Sequence, residues 1–444
     1  MSVSVFAKYA VLGAAFTYVS VAPAPAELSS IGGGSIGSAL AINDNGDVVG
    51  RSYTAAFEQH STLWPAAGAA QDLGVLPSGT MSEAAAVSST GTIVGASSNA
   101  DGAYHAARWA SSTASPVDLG TLGGTNSQAT GVNTKGDVAG YSYIAGDATL
   151  HAALWPAGSL AIVDLGTLPG GSYSQATGIN AAGDVVGTSD DANWTGHATL
   201  WSGPSHTATA LATLGGMYGQ AFAINDNGDV VGYSQNASGV FRPTLWAAPS
   251  HSPVDIGTLG GTYGGALGID NAGDIVGYSG TLNDAERHAT LWRGATSTGG
   301  VPGSSGCSKL NNSRSRSDRN DREDRGRNER NDRGRRRIGA TPMTFSFASF
   351  GSPAPAAALT AVDLGVLPGG NLSQATGVNS KGQVVGFGTN SFSENRAMFW
   401  NVGAVAPAPG GGGTPSADDD EHGDHQGNHE HQDCDDGNRN ERHG

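Results

Sequence analysis

One residue type keeps time along this chain. Trp64, Trp109, Trp155, Trp201, Trp246, Trp292 and Trp400 follow one another at spacings of 45, 46, 46, 45, 46 and 108 residues, the last being one period plus an insertion of 62. Seven of the eight tryptophans therefore occupy one repeated position, and Trp194 stands outside it. Gly50, Gly95, Gly140, Gly187, Gly232, Gly277 and Gly386 keep the same beat. A module of this size cannot cover its own apolar face, so the modules must bury one another.

Each module reads as about four short strands. In the fourth, Val163-Asp164-Leu165-Gly166 runs into the break Pro169-Gly170-Gly171. Then Ser174–Ile179 and Asp184–Ser189 flank Asn180-Ala181-Ala182-Gly183, a strand–turn–strand pattern with glycine where a turn often needs a positive φ. His197-Ala198-Thr199-Leu200-Trp201 closes the unit as a strand with an aromatic end. Helical periodicity is absent, and 69 glycines without a three-residue period fit many tight turns rather than collagen. Four strands per module, seven times, predict an all-β, seven-bladed β-propeller, whose closure removes the free sheet edges an open row would present. A β-solenoid is the rival, but it needs distinct capping units, which the sequence lacks.

The recurring pattern Asp118-Leu119-Gly120-Thr121-Leu122-Gly123-Gly124, Ala129, Val132-Asn133, Gly136-Asp137-Val138 and His151-Ala152-Ala153-Leu154-Trp155 resembles the HAF family of bacterial extracellular repeats. The resemblance spans Glu27 to Trp400 apart from the insertion. It departs from the family in the naming triplet, which here reads His-Ala-Thr or His-Ala-Ala, as in His288-Ala289-Thr290. The resemblance implies an exported repeat protein and brings no catalytic residues.

The flanking segments set the expected organisation. Residues 1–26 read as a signal peptide, with Lys8, a short apolar run from Tyr9 to Ala22, and small residues around Ala24 and Ala26. Blades one to six are expected over 27–297 and the seventh over 358–402, with the last blade opening at its Asp-Leu-Gly run. Between them, 298–357 carries eleven Arg and six acids within Arg314–Arg337, a composition that predicts disorder. The tail, 403–444, is Gly/Pro-rich and then His/Asp-rich, and disorder is expected there too. Its His422, His425, His429 and His431 form a weak divalent transition-metal candidate; no cofactor is predicted for the repeats. Cys307 and Cys434 both fall in these segments, so neither staples the core. No apolar run approaches the ~20 residues of a membrane span. The net charge of −16 leaves the repeats without a basic nucleic-acid footprint. Secretion or cell-surface residence is the expectation.

Candidate residues follow from the repeat itself. His60, His105, His151, His197 and His288 stand four residues before a tryptophan, with Arg242 and Arg396 in the other two modules. Arg replaces His as a hydrogen-bond donor but not as a metal ligand, so these positions read as structural. Glu27, Asp72, Asp118, Asp164, Asp255 and Asp363 open six modules, and Ala210 the fifth. Acid and His or Arg are expected to pair. The repeated tryptophans read as packing between blades. Asn43-Asp44-Asn45-Gly46-Asp47 and its echo at Asn225–Asp229 resemble a calcium loop, but equivalent turns place Lys135 or Lys381 there, which is turn chemistry. Binding is expected at loop positions that differ between modules: Asp190, Asp191, Asn193 and Trp194. No nucleophile elbow, phosphate loop or zinc pair is present. The sequence thus reads as a non-catalytic scaffold for a surface polymer or a protein, and alternatively as a carbohydrate-active propeller enzyme, glycoside hydrolase or polysaccharide lyase.

Overall fold

A computed structural model describes residues 24–294 and 359–403, apart from Ser35 and Leu160. The expected signal peptide up to residue 23, the insertion, the tail, its histidines and both cysteines lie outside the described residues.

The described chain forms seven four-stranded antiparallel sheets, with no α-helix among them. In blade four the strands are Ser174–Ile179, Val185–Asp190, Gly196–Ser202 and Thr207–Ala210, in that order across the sheet. The first strands of successive blades touch around the ring, the seventh against the first. Seven apolar clusters fill the seven seams. One joins Val186, Leu200 and Leu211 of blade four to Ile224 and Trp246 of blade five; another joins Val385 of blade seven to Ile42, Val48 and Trp64 of blade one. The chain is a closed seven-bladed propeller.

The repeated residues hold these seams. All seven module tryptophans are buried. Five donate their indole N–H to the end of the preceding blade's outermost strand or its equivalent: Trp64 to Ser29, Trp109 to Leu73, Trp246 to Ala212, Trp292 to Gly257 and Trp400 to Leu364, at 2.6–3.0 Å. The repeated glycine has an equally local cause. Each first strand is irregular, as at Ala176/Gly178, and its carbonyl crowds the second strand. A Cβ on Gly187 would lie 2.0 Å from the Gln175 carbonyl oxygen, and a Cβ on Gly95 1.9 Å from that of Glu83. No side chain fits.

Sequence module and sheet are out of phase by one strand. The Asp-Leu-Gly run that opens each module pairs with the tryptophan strand before it, becoming the outermost strand of the preceding blade. The expected limits of the last two blades shift accordingly. Leu359–Asp363 belongs to blade six, paired with Arg287–Gly294, so the insertion, ahead of the seventh blade as expected, falls between the third and fourth strands of blade six. Blade seven, Ser373–Val378, Gln383–Thr389 and Asn395–Asn401, takes its fourth strand from the other end of the chain, where Ala26 and Glu27 pair with Phe399 and Met398. Leu28 adds a backbone bond to Ala397 at 2.9 Å. This exchange closes the ring.

Antiparallel alternation fixes two faces. Turns between second and third strands, and the connections between blades, emerge on one face, called upper here. Turns between first and second strands, and between third and fourth, emerge on the lower face.

Candidate binding face

Acid and base meet inside each sheet. The fourth-strand carboxylate faces the third-strand His or Arg: His60–Asp72 and His105–Asp118 at 2.7 Å, His151–Asp164 and Arg242–Asp255 at 2.9 Å, His288–Asp363 and Arg396–Glu27 at 2.8 Å. A carboxylate only accepts, so the facing imidazole Nδ1 carries a proton. The other oxygen of each Asp takes the backbone N–H two residues on, as Asp118 takes Gly120 at 2.7 Å and Asp363 takes Gly365 at 2.7 Å. That explains the Asp-x-Gly spelling, since those glycines sit at φ of 76° and 72°. Where Ala210 replaces the acid, Ala212 replaces the glycine, and His197 turns to Asp191 instead, at 3.2 Å. Asp363, with help from Glu286, raises the His288 pKa against the opposing effect of burial.

The loop expected to bind divides in two. Asp190 is 6% exposed and accepts the N–H groups of Ser172 and Tyr173 at 2.8 Å, a structural task. Asp191 starts the turn, accepting from the Thr195 and Asn193 N–H groups, which with His197 lower its pKa to about 2. Trp194 is the residue left for a ligand. It is 76% exposed and adopts φ 62°, a left-handed conformation that costs a bulky residue free energy. Equivalent turns in blades two and five place Gly102 and Gly239 there, at 79° and 78°. Phe57 of blade one repeats the anomaly, 77% exposed at φ 64°.

Sequence reasoning missed Phe57, although it stands where blades two and five carry Gly102 and Gly239 and blade seven carries Ser393 at φ 61°, and missed the pattern it belongs to. Twelve large apolar residues are exposed among the described residues. Nine lie on the upper face: Phe57, Met81, Tyr173, Trp194, Met217, Tyr218, Phe241, Leu282 and Phe392. The other three, Val117, Val163 and Val254, lie on outermost strands. None of the twelve lies in a first-to-second-strand turn. Beneath Phe241, Tyr233 packs edge-on at 4.9 Å between centroids and also meets Phe222 at 5.4 Å. Burial raises the Tyr233 phenol pKa, and its O–H donates to Gln220 at 2.7 Å. Phe241 is therefore seated on a fixed floor.

The lower face at its centre combines polar turns with an aliphatic side chain from every blade, Ile42 and Val378 among them. Turns from all seven blades enclose about 220 Å³ at the channel mouth, with Asp44, Asp226 and Asp270 among the lining residues. Asp44 is spent on Ser380, at 2.8 Å from its hydroxyl, and Asp226 on Asn271 at 2.9 Å. Burial raises the Asp270 pKa to about 6. Among the described residues no group of three or more His, Cys, Asp or Glu is arranged to hold a metal ion. A further groove of about 590 Å³ lies between blades three and four on this face, beside Val163 and His206.

No family model matches the sequence, and no curated protein matches it. Solved structures with a similar shape are distant. The β-propeller domain of the Trilobed protease from Pyrococcus furiosus aligns over 83% of this chain and 96% of that one, at 8% identity and a TM-score of 0.44. TolB from Acinetobacter baumannii aligns over 56% of this chain, at 9% identity and a TM-score of 0.40, and the chain spans 61% of that protein's length. A putative TolB from Agrobacterium tumefaciens aligns over 50% of this chain and 88% of that one, at 11% identity and a TM-score of 0.36.

Proposed function

We propose that this protein is an exported, non-catalytic binding scaffold that presents its upper face to an extracellular or cell-surface polymer. One observation carries the reading: nine of the twelve exposed large apolar side chains gather on that face, two of them in left-handed turns where glycine would be relaxed. Strained, exposed aromatics are costly to keep for folding alone, whereas flat rings on a rigid base suit stacking against a sugar or another apolar surface. Export belongs to the same proposal and rests on the N-terminal sequence and on the resemblance to HAF-type repeats. The fixed His/Arg–acid pairs are the frame of the face rather than its reactive groups.

The alternative reading, a carbohydrate-active enzyme, finds its best candidate acid in Asp270. That carboxyl is 8% exposed and one of its oxygens is committed to the backbone of its own turn, so it is poorly placed to meet a substrate. The test is an array of glycans and polysaccharides read for both retention and cleavage. Retention without turnover is expected, reduced roughly 10-fold, about 1.4 kcal/mol, in the Phe57→Gly/Trp194→Gly double variant. Turnover would select the enzyme, and silence on both counts would redirect the assignment to a protein partner.

A further inference from the structure

The turns that ring the lower mouth share one design. Each begins with a residue whose side-chain oxygen caps the turn, as Asn225 Oδ1 takes the N–H groups of Asn227 and Asp229. In five blades this residue is Asn, and its Nδ2 also donates across the seam to the same backbone carbonyl of the next blade. Asn43 reaches Ser88 at 3.0 Å, Asn133 reaches Asn180 at 3.2 Å, Asn180 reaches Asn225 at 3.3 Å, Asn225 reaches Asp270 at 3.0 Å, and Asn379 reaches Asn43 at 2.9 Å. Blade two substitutes Ser88, whose hydroxyl stays within its own turn. Blade six substitutes Asp270.

Asp270 keeps half of the design. Its Oδ1 accepts the N–H groups of Ala272 and Asp274, both at 2.9 Å, as the asparagines do. Its Oδ2 then occupies the place of the bridging amide nitrogen. That oxygen is buried and has no hydrogen-bond partner among the described residues. By the repeat, the groups it should face are acceptors: the Asn379 carbonyl of blade seven and the Asp274 carboxylate of its own turn. A carboxylate cannot donate to either, whereas a carboxylic acid can.

We infer that Asp270 is a proton-operated latch on the seam between blades six and seven, bridging to the Asn379 carbonyl when neutral and releasing it when ionised. The only exchange is one proton with solvent. The charged groups around it agree with this. Asp274 repels the anion but is itself held by Arg293, Asp226 is tied to Asn271 on the blade-five side, and Lys381 is the cation of the facing turn in blade seven. Burial is the largest cause of the raised pKa, with Asp274 adding to it. The folded-state value therefore lies above the unfolded one. The neutral form's stabilisation is complete below roughly pH 4 and is lost as pH rises through about 6. The latch would be closed in mildly acidic surroundings and open at neutral pH.

The test compares thermal unfolding of the full chain and of Asp270→Asn from about pH 3.5 to 8. This variant supplies the amide that five other blades use, and imidazole titrations common to both proteins cancel in the difference. The two should melt together below roughly pH 4, diverge between pH 4 and 6, and differ at pH 8 by roughly 3 °C in the variant's favour. Asp270→Ser copies blade two and should likewise lack the acid-dependent component. Amide exchange of Asn379–Gln383, compared between the proteins at one pH, should be faster in the wild type at pH 8 only. Parallel melting profiles across the range would overturn the latch. So would restoration of wild-type melting at pH 8 by added calcium, which would make the orphan oxygen a metal ligand.

Discussion

Two side chains carry most of what a single substitution can reveal. Trp194 holds a left-handed turn that Gly102 and Gly239 hold without strain in other blades. Trp194→Gly should therefore raise stability by about 0.5–1 kcal/mol in urea unfolding while weakening ligand retention, a trade that a purely structural tryptophan would reverse. His288 makes a prediction in pH of the same sign as that for Asp270. Its pKa is raised, chiefly by Asp363, so its contribution is present below roughly pH 6.5 and fades as pH rises through the higher folded value. Asp363→Asn should lower the His288 midpoint in an NMR titration while leaving the Gly365 turn bond an acceptor. The sequence made this pairing legible, because the acid and the His or Arg recur in step, with only the acid missing at Ala210. It did not make Asp270 legible as unusual. Asn and Asp look alike as turn residues until the bond across the seam shows that the amide is the half that matters.

At the scale of a strand, the chain was readable wherever one residue answers to its immediate neighbours. The module glycine is such a case, since the first strand's carbonyl leaves no room for a Cβ. Gly187→Ala should destabilise by about 3 kcal/mol or more, seen as loss of soluble protein or a large drop in the urea midpoint. The four strands, their turns and the buried tryptophans were equally plain, because alternation, Asn-x-x-Gly and the indole spacing are local signals. Strand assignment to a sheet was not. Asp118-Leu119-Gly120 opens a sequence module by its position in the text, yet it hydrogen-bonds backwards, and spacing alone does not distinguish the two partners. The face-wide collection of apolar tips was hidden for a related reason. Phe57, Trp194 and Phe392 are 137 and 198 residues apart, and only the alternation of strand direction places their turns on one side.

For the whole molecule, closure rests on a very short element. Ala26 and Glu27 pair with blade seven, Leu28 bonds to Ala397, and Glu27 meets Arg396. Leu28→Pro removes that donor and should lower the melting temperature while speeding amide exchange first in Asn395–Asn401, with blades three to five protected longest. If exchange instead rose evenly around the ring, the terminal strand would not be the weak point.

The one-strand offset between text and sheet also bears on how such a chain can change size. Every module lends its opening segment to the sheet before it, so removing or duplicating a whole module anywhere between the ends still leaves a lone strand in front and a three-stranded remainder behind. Those two loose pieces always fit each other. Copy-number change in this architecture alters the circumference of the body without requiring a new way to finish it.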